Sequence, residues 1–262
     1  MRNRKVVKML TWVFSLFLFI GLLFIIKYQR RNMYCNDFLV KIDSPNSKSF
    51  VTNEEITRKL ADNGFLPDSL KIKDIDLNEL ESVIISDPFV KAVDFSFSFD
   101  GNLYIKIFEK EPLIRIFTKN KSSFFLCTDG TIVPADLDGA AHVPVANGNI
   151  TIPNVKSVIN KSVIEQDTIS SCMKDLYQLT TLILKNDFLK SQIEQIYVLD
   201  NGEYQLIPKL GNHIIEFGKP EDLKSKLENL EVFYTKGINQ VGWNKYDKIS
   251  LKFNNQVVCT KN

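Results

Sequence analysis

The chain has 262 residues, of which 44% are hydrophobic and 24% charged, and its net charge at pH 7 is +2. That is enough chain for one large or two small domains with real cores, and no Pro-rich, Ser-rich or repetitive tract points to low complexity. The near-zero charge balance excludes a nucleic-acid surface spread over the molecule, and four scattered cysteines without a CxxC pair exclude a zinc framework.

The first element is an apolar run, residues 9–26, set between Arg2, Arg4, Lys5 and Lys8 on one side and Lys27, Arg30 and Arg31 on the other. As a helix it measures about 27 Å at ~1.5 Å per residue, close to a hydrocarbon core of about 30 Å. No small-residue cleavage site follows it, so a retained anchor is expected rather than a signal peptide. A buried core helix is disfavoured, because residues 12–26 contain only Ser15 and Gly21 as non-apolar positions and have no polar face. Gly21 has no GxxxG partner, so helix dimerisation is not indicated. Four basic residues before the span and three after it leave orientation nearly undecided by charge. The expected arrangement is a cytoplasmic tail over 1–8, a transmembrane helix over 9–26, a juxtamembrane linker over 27–36, and the rest outside.

A short strand is expected over 38–42. Thr52 followed by Glu55 forms a capping box, and Ile56, Leu60 and Phe65 stripe the helix that Gly64 ends. Asp76 with Glu79 opens a second helix, whose buried face is Leu77, Leu80, Val83 and Ile84 and whose end is Asp87-Pro88. The period then changes: Val93, Phe95, Phe97 and Phe99 alternate with polar residues, Asp100-Gly101 makes a tight turn, and Leu103, Ile105 and Ile107 alternate again. The order strand, helix, helix, strand, strand implies a three-stranded sheet with one face covered by two helices.

Beyond Pro112 the pattern is mainly strand and turn. Strands are expected over 113–117 and 124–127, followed by a turn at Asp129-Gly130 and a stretch punctuated by Pro134, Pro144 and Pro153. Ile169, Met173, Leu176, Tyr177, Leu179 and Ile183 recur at helical spacing. Strands return over 193–199, 204–207 and 214–217. Pro220 opens a helix bearing Leu223, Leu227, Leu230, Phe233 and Tyr234, and Gly237 closes it. The chain finishes with strands over 249–253 and 256–260 around an Asn254-Asn255 turn. Cys127 and Cys259 fall in strands of the same half, so a bridge between them is open outside the cytoplasm, although the wide spacing of all four cysteines favours free thiols.

Several stretches together resemble the FtsQ/DivIB family of bacterial cell-division proteins over the whole chain. Asp87-Pro88-Phe89-Val90-Lys91-Ala92-Val93, followed by Gly101-Asn102-Leu103-Tyr104-Ile105, resembles the hallmark of that family's POTRA module. Glu109-Lys110-Glu111-Pro112-Leu113-Ile114-Arg115 resembles its domain junction, Phe125-Leu126-Cys127-Thr128-Asp129-Gly130 and Val143-Pro144-Val145 resemble later motifs, and the stretch from Ile249 through Asn255 to Val258 resembles its tail. Ser250 and Lys252 stand where the tail pattern has Asp and Arg, and Cys127 where an Asp is expected. The abundance of Lys, Asn, Ile and Phe and the shape of the junction motif suggest a Bacteroidetes-like source, and the resemblance implies an α+β chain: one transmembrane helix, a POTRA domain over 37–110, and a mainly antiparallel β domain with flanking helices over 111–262.

Catalytic parts are missing from the pattern. His142 and His213 belong to no HExxH or nucleophile motif and read as surface or turn residues, and Glu109 and Glu111 read as a solvated strand face near a domain hinge. No cofactor or metal motif occurs. The resemblance implies instead a non-enzymatic, single-pass (type II) protein of the inner membrane at the division septum. Its periplasmic β domain would bind FtsB/DivIC-like and FtsL-like partners, and its POTRA domain other division proteins. The expected contact is an incoming strand at a terminal sheet edge formed by Gln256, Val257, Val258 and Cys259, with Phe253, Phe233 and Tyr234 beside it. Proline at Val258 is expected to block that strand selectively. The rival readings are a membrane-anchored cell-wall hydrolase and a POTRA-containing secretion or assembly factor; the first lacks a catalytic constellation, the second repeated POTRA units.

Overall fold

The computed structural model describes residues 2–45, 49–135, 141–152, 157–166, 170–238, 242–243, 245–253 and 256–261, including all their side chains except those of 2–9, 26 and 29–31. The chain divides into two compact units, one of residues 1–43 and 51–109 and the other of residues 44–50 and 110–262. The expected positions Pro153, Ile169 and the Asn254-Asn255 turn lie outside the described residues.

The first unit begins with helix α1, Arg2–Arg31. Every described side chain of residues 10–25 is exposed. Among the described residues no helix is long and apolar enough to cross a membrane; residues 10–25 alone span about 24 Å, short of ~30 Å.

Strand β1 (Phe38–Asp43), helices α2 (Asn53–Asp62) and α3 (Leu77–Ile85), and strands β2 (Val90–Phe97) and β3 (Leu103–Glu109) follow in the expected order. Thr52 accepts the N–H of Glu55 while the Glu55 carboxylate takes the N–H of Thr52 at 2.9 Å, completing the capping box. Asp76 caps α3 through the N–H groups of Asn78 and Glu79. Gly64, at φ +87°, takes the left-handed position beyond the end of α2. The sheet order is β1-β3-β2, with β1 parallel and β2 antiparallel to the central β3. Leu103, Ile105 and Ile107 of β3 are buried with Ile56 and Leu60 of α2 and Leu80 and Ile84 of α3.

Two details depart from expectation. Glu109 is not on a solvated face: it continues the buried parity of Leu103, Ile105 and Ile107, and its Oε1 accepts the N–H of Val51 at 2.8 Å. Phe99 does not join the inward row of Val93, because β2 ends at Phe97 and residues 98–102 form a wider loop held by Ser98–Asn102 bonds. Phe99 is 91% exposed.

The second unit is a nine-stranded sheet. Strands β4 (Pro112–Phe117), β5 (Ser123–Cys127), β6 (Ile132–Pro134) and β7 (Val145–Gly148) precede helices α4 (Ser171–Lys185) and α5 (Asp187–Gln192). Strands β8 (Ile193–Val198), β9 (Tyr204–Pro208) and β10 (Ile214–Gly218), helix α6 (Leu223–Val232), and strands β11 (Tyr246–Ser250) and β12 (Val258–Lys261) complete it. The order across the sheet is β12-β11-β10-β9-β8-β7-β4-β5-β6. Five neighbouring pairs are antiparallel; β4–β7, β7–β8 and β10–β11 are parallel.

Met173, Leu176, Leu179 and Ile183 of α4, Leu189 of α5, and Leu227 and Leu230 of α6 share one core with the inward residues of the sheet. Strand β7 carries a single buried residue, Ala146, yet bridges the two halves of the sheet. It stops at Gly148, at φ +99°, where a Cβ would collide with the backbone of Val198. Pro220 does not sit in the first turn of α6; Asp222, in the left-handed region at φ 51°, is the N-cap residue. After Val232 the helix widens into a π-helical turn, Phe233–Ile238.

All four cysteines are free. Cys127 lies in β5 and Cys259 in β12, seven strand spacings apart in the sheet order, about 34 Å at ~4.8 Å per spacing. A disulfide needs Cα atoms within about 7 Å, so that pairing is ruled out. Burial pushes the Cys127 thiol up to about 12.

Candidate functional site: the open edge at the chain terminus

Strand β12 is an outermost strand of the nine-stranded sheet, bonded on one side to β11. The direction of its backbone groups follows from its neighbours. Leu251 donates its N–H to the carbonyl of Glu216 in β10 at 2.9 Å. Backbone groups alternate along a strand, so Ile249 and Leu251 face β10 while Lys248 and Ser250 face β12. Ser250 pairs with Val258, Ile249 with Cys259 and Lys248 with Thr260. Val258 and Thr260 are therefore the hydrogen-bonded partners of β11, and the N–H and C=O of Cys259 point to the open side.

This corrects the expectation for Val258. Its N–H is engaged inside the sheet, and proline there would break the β11–β12 ladder rather than block an incoming strand. The side chains alternate the other way. Val257 and Cys259 pack against the core, whereas Val258 is 41% exposed on the opposite face.

The remaining expected contacts divide sharply. Phe253 is 56% exposed and Gln256 is exposed. They line a cleft of about 290 Å³ together with Leu251, Asp222 and the α6 residues Ser225, Lys226 and Asn229. Phe233 is half-buried, with its ring 6.4 Å from Tyr234 and 6.2 Å from Tyr246. Tyr234 is fully buried and does not face a partner. Its hydroxyl lies 2.7 Å from Nε2 of His213, and its ring stacks on Trp243 at 5.5 Å. These two aromatics hold the π-helical turn against the sheet, so Phe233 and Tyr234 support the edge from behind.

His213, expected as a surface or turn residue, lies in the loop before β10 but is buried in the same cluster. Its Nδ1 makes no hydrogen bond among the described residues. Burial holds the imidazole below the ordinary histidine range, and the Trp243 carbonyl opposes that shift only in part. Its neighbours are aromatic, and it is placed as a core residue rather than as a base beside a nucleophile.

The α6 residues of the cleft were not singled out from sequence. The signal was there: Asp222, Ser225, Lys226 and Asn229 recur at helical spacing on the face adjoining that of Leu223, Leu227 and Leu230. Lys226 is not presented as a loose charge. Its Nζ donates to the carbonyls of Phe217 at 3.2 Å and Lys219 at 2.8 Å, and burial lowers its pKa against the pull of Glu221, Asp222 and Glu203. Lys252, in the position where Arg was expected, forms a charged contact with Glu203 at 2.6 Å.

Among the described residues no group of three His, Cys, Asp or Glu side chains is placed to hold a metal ion. A half-buried cluster of titratable groups lies elsewhere, where the Tyr204 hydroxyl donates to Asp175 at 3.1 Å beside Cys172. Burial raises the pKa of all three. That shift opposes thiolate formation at Cys172 and gives the cluster no activated nucleophile.

A family model described as FtsQ/DivIB, C-terminal related, matches residues 111–260. One described as a POTRA-like domain matches residues 33–108. No curated protein matches the chain.

Proposed function

The chain belongs to the FtsQ/DivIB, C-terminal related family and is a cell-division protein; from that premise we propose that it is a non-enzymatic, single-pass membrane protein that recruits other division proteins along β12. The partners are FtsB/DivIC-like and FtsL-like proteins, which would bring an extended segment to the open edge. The observation that carries this reading is the outward N–H and C=O of Cys259 on an outermost strand.

Backbone pairing alone is weak. Each bond contributes only about 0.5–1.5 kcal/mol net, and β12 has four residues. Affinity needs side-chain contacts as well, and exposed Phe253 and Val258 flank the edge on either side of Gln256. The cleft along α6 then receives polar groups of the same partner.

The anchor is α1. Its described side chains at residues 10–25 are exposed and nearly all apolar, and basic residues flank them in sequence, as expected of a helix that meets lipid on every side. With 1–8 in the cytoplasm, the parts of both units beyond Arg31 lie in the periplasm, at the septal inner membrane. The POTRA-like unit is available to further division proteins.

Two experiments test the reading. Full-length protein in membranes is used to capture small coiled-coil division proteins, and their co-purification with the parent is expected; failure to capture either class contradicts the recruitment role. Protease added to intact spheroplasts should digest everything beyond Arg31. Survival of that region, with a known external protein digested in the same tube, reverses the orientation.

A further inference from the structure

The residues leading out of α1 are stitched into one end of the first unit. Ile72 donates its N–H to Met33 O at 3.0 Å, Cys35 to Leu70 O at 2.9 Å, Asp68 to Cys35 O at 2.7 Å, and Asn36 to Gly101 O at 3.1 Å. The loop over 66–72 and the β2–β3 loop over 98–102 therefore lie beside the point where the chain enters the unit. Gly101, at φ +89°, allows that approach; a Cβ there would sit 3.2 Å from the carbonyl of Tyr34. Only Asn32 and Met33 lie between Arg31 and Tyr34, three steps along the chain with a reach of about 11 Å even fully extended. If the apolar run of α1, which ends at residue 26, spans the bilayer, the five further helical residues add about 7.5 Å, so this end of the unit stays within about 19 Å of the hydrocarbon core.

The side chains gathered there suit that surface. Phe99, at the tip of the β2–β3 loop, is 91% exposed, and Met33, Tyr34 and Leu66 are exposed around it. Lys71 lies over the Tyr34 ring at 5.6 Å, an aromatic with a cationic neighbour of the kind found at headgroup level. Burying Phe99 in the folded unit would need the loop to curl inward, and the bonds Ser98 makes to both Asn102 and the Asp100 carboxylate hold it outward.

We propose that the β2–β3 loop is a lipid-contacting wedge: Phe99 inserts into the interfacial region of the bilayer that holds α1, with Tyr34 and Leu66 beside it, and fixes how the POTRA-like unit stands on the membrane. The proposal rests on the anchor reading given above. Asp68 and Asp100 share this end with Lys71. The contact is therefore apolar and aromatic, not an attraction to anionic lipid, and it should be insensitive to salt.

The test uses the full chain in phosphatidylcholine vesicles whose acyl chains are brominated near the headgroup, so that tryptophans touching lipid lose emission. Phe99→Trp is compared with Ile85→Trp, each in a chain that also carries Trp12→Phe. Ile85 is exposed beyond the start of β2, at the end of the sheet away from Phe99 and about 23 Å off by the length of β2. Tyr34→Trp gives a second reading at the proposed contact, and the loss of signal in Trp12→Phe reports whether α1 is inserted. Expected are quenching at positions 99 and 34, a blue shift at 99, no quenching at 85, and no change in high salt. Quenching of Trp12 without quenching at 99 overturns the wedge and leaves the anchor standing. An unquenched Trp12 overturns the anchor and the wedge with it.

Discussion

Leu251 and Glu216 share one backbone bond, 2.9 Å from the N–H of the former to the carbonyl of the latter, and it sets the polarity of the sheet edge two strands away. Because Leu251 faces β10, Ser250 faces β12, Val258 is held by Ser250, and Cys259 presents its backbone outward. Two adjacent proline substitutions should therefore behave differently. Cys259→Pro should weaken partner binding about tenfold or more, the equivalent of ~1.4 kcal/mol, and should lower the melting temperature less than Val258→Pro does, since it gives up part of a core-facing side chain but no ladder donor. Val258→Pro should lower the stability of the β domain by about 1–3 kcal/mol, because the buried side of the ladder loses a donor. Denaturant melts beside partner capture distinguish the two; equal melts and equal binding for both variants would contradict the assigned polarity.

Glu109 is a second place where a backbone partner sets the outcome. Glu109→Ala removes a buried acceptor from the N–H of Val51, next to the Thr52 cap, and should cost the first unit about 1–3 kcal/mol. Glu109→Gln keeps a carbonyl acceptor of the same length and should cost clearly less. Chemical denaturation of both variants checks the ordering.

The capping box should be sensitive to acid. Bonds from Thr52, its backbone N–H first, hold the Glu55 carboxyl below the usual glutamate range. A depressed folded pKa contributes stability that is present above the unfolded value of about 4.3 and is lost as pH falls through the folded value. Thr52→Ala should cost about 0.5–2 kcal/mol at neutral pH. That difference should shrink in melts recorded below about pH 4.

His213 works in a higher window. Burial depresses its folded pKa, so the unfolded chain takes up a proton more readily, and the β domain should lose stability as pH falls below about 6.5. His213→Gln should flatten that dependence. Tyr234→Phe leaves a buried ring nitrogen without its partner and should destabilise the domain by about 1–3 kcal/mol at neutral pH. Thermal melts from pH 7.5 to 5.0 compare the three proteins. A parent whose stability does not change across that range would contradict the assignment.

The parts of this fold that were legible in the sequence are those settled locally. The Thr52–Glu55 box, the Asp76 cap and the β2–β3 alternation depend on residues within a few positions of one another, and each forms as its pattern requires. Glu109 was legible too, since it shares parity with Leu103, Ile105 and Ile107, but a charge at the end of an inward row invites the opposite reading. Strand β7 was not: four residues with one buried alanine carry no periodic signal, and its place between β4 and β8 is fixed only by distant partners.

The terminal edge was legible in outline. A last strand at a sheet edge was expected, but the alternation of Ile249, Leu251 and Phe253 suggested a strand continuing to Phe253, whereas β11 ends at Ser250 and Phe253 turns out to solvent. Phe233 and Tyr234 lie on the same stripe as Leu227 and Leu230. Which of the two is covered depends on the π-helical turn and on His213, neither of which helical spacing reveals.

Amide hydrogen exchange at Cys259, measured residue by residue in the soluble β domain with and without the extracytoplasmic segment of an FtsB/DivIC-like partner, tests the central claim most directly. The amide of Cys259 should exchange freely in the unbound domain, while those of Val258 and Thr260 are already protected, and it should become protected when the partner binds. Binding that leaves the Cys259 amide as fast as before would contradict strand addition at this edge.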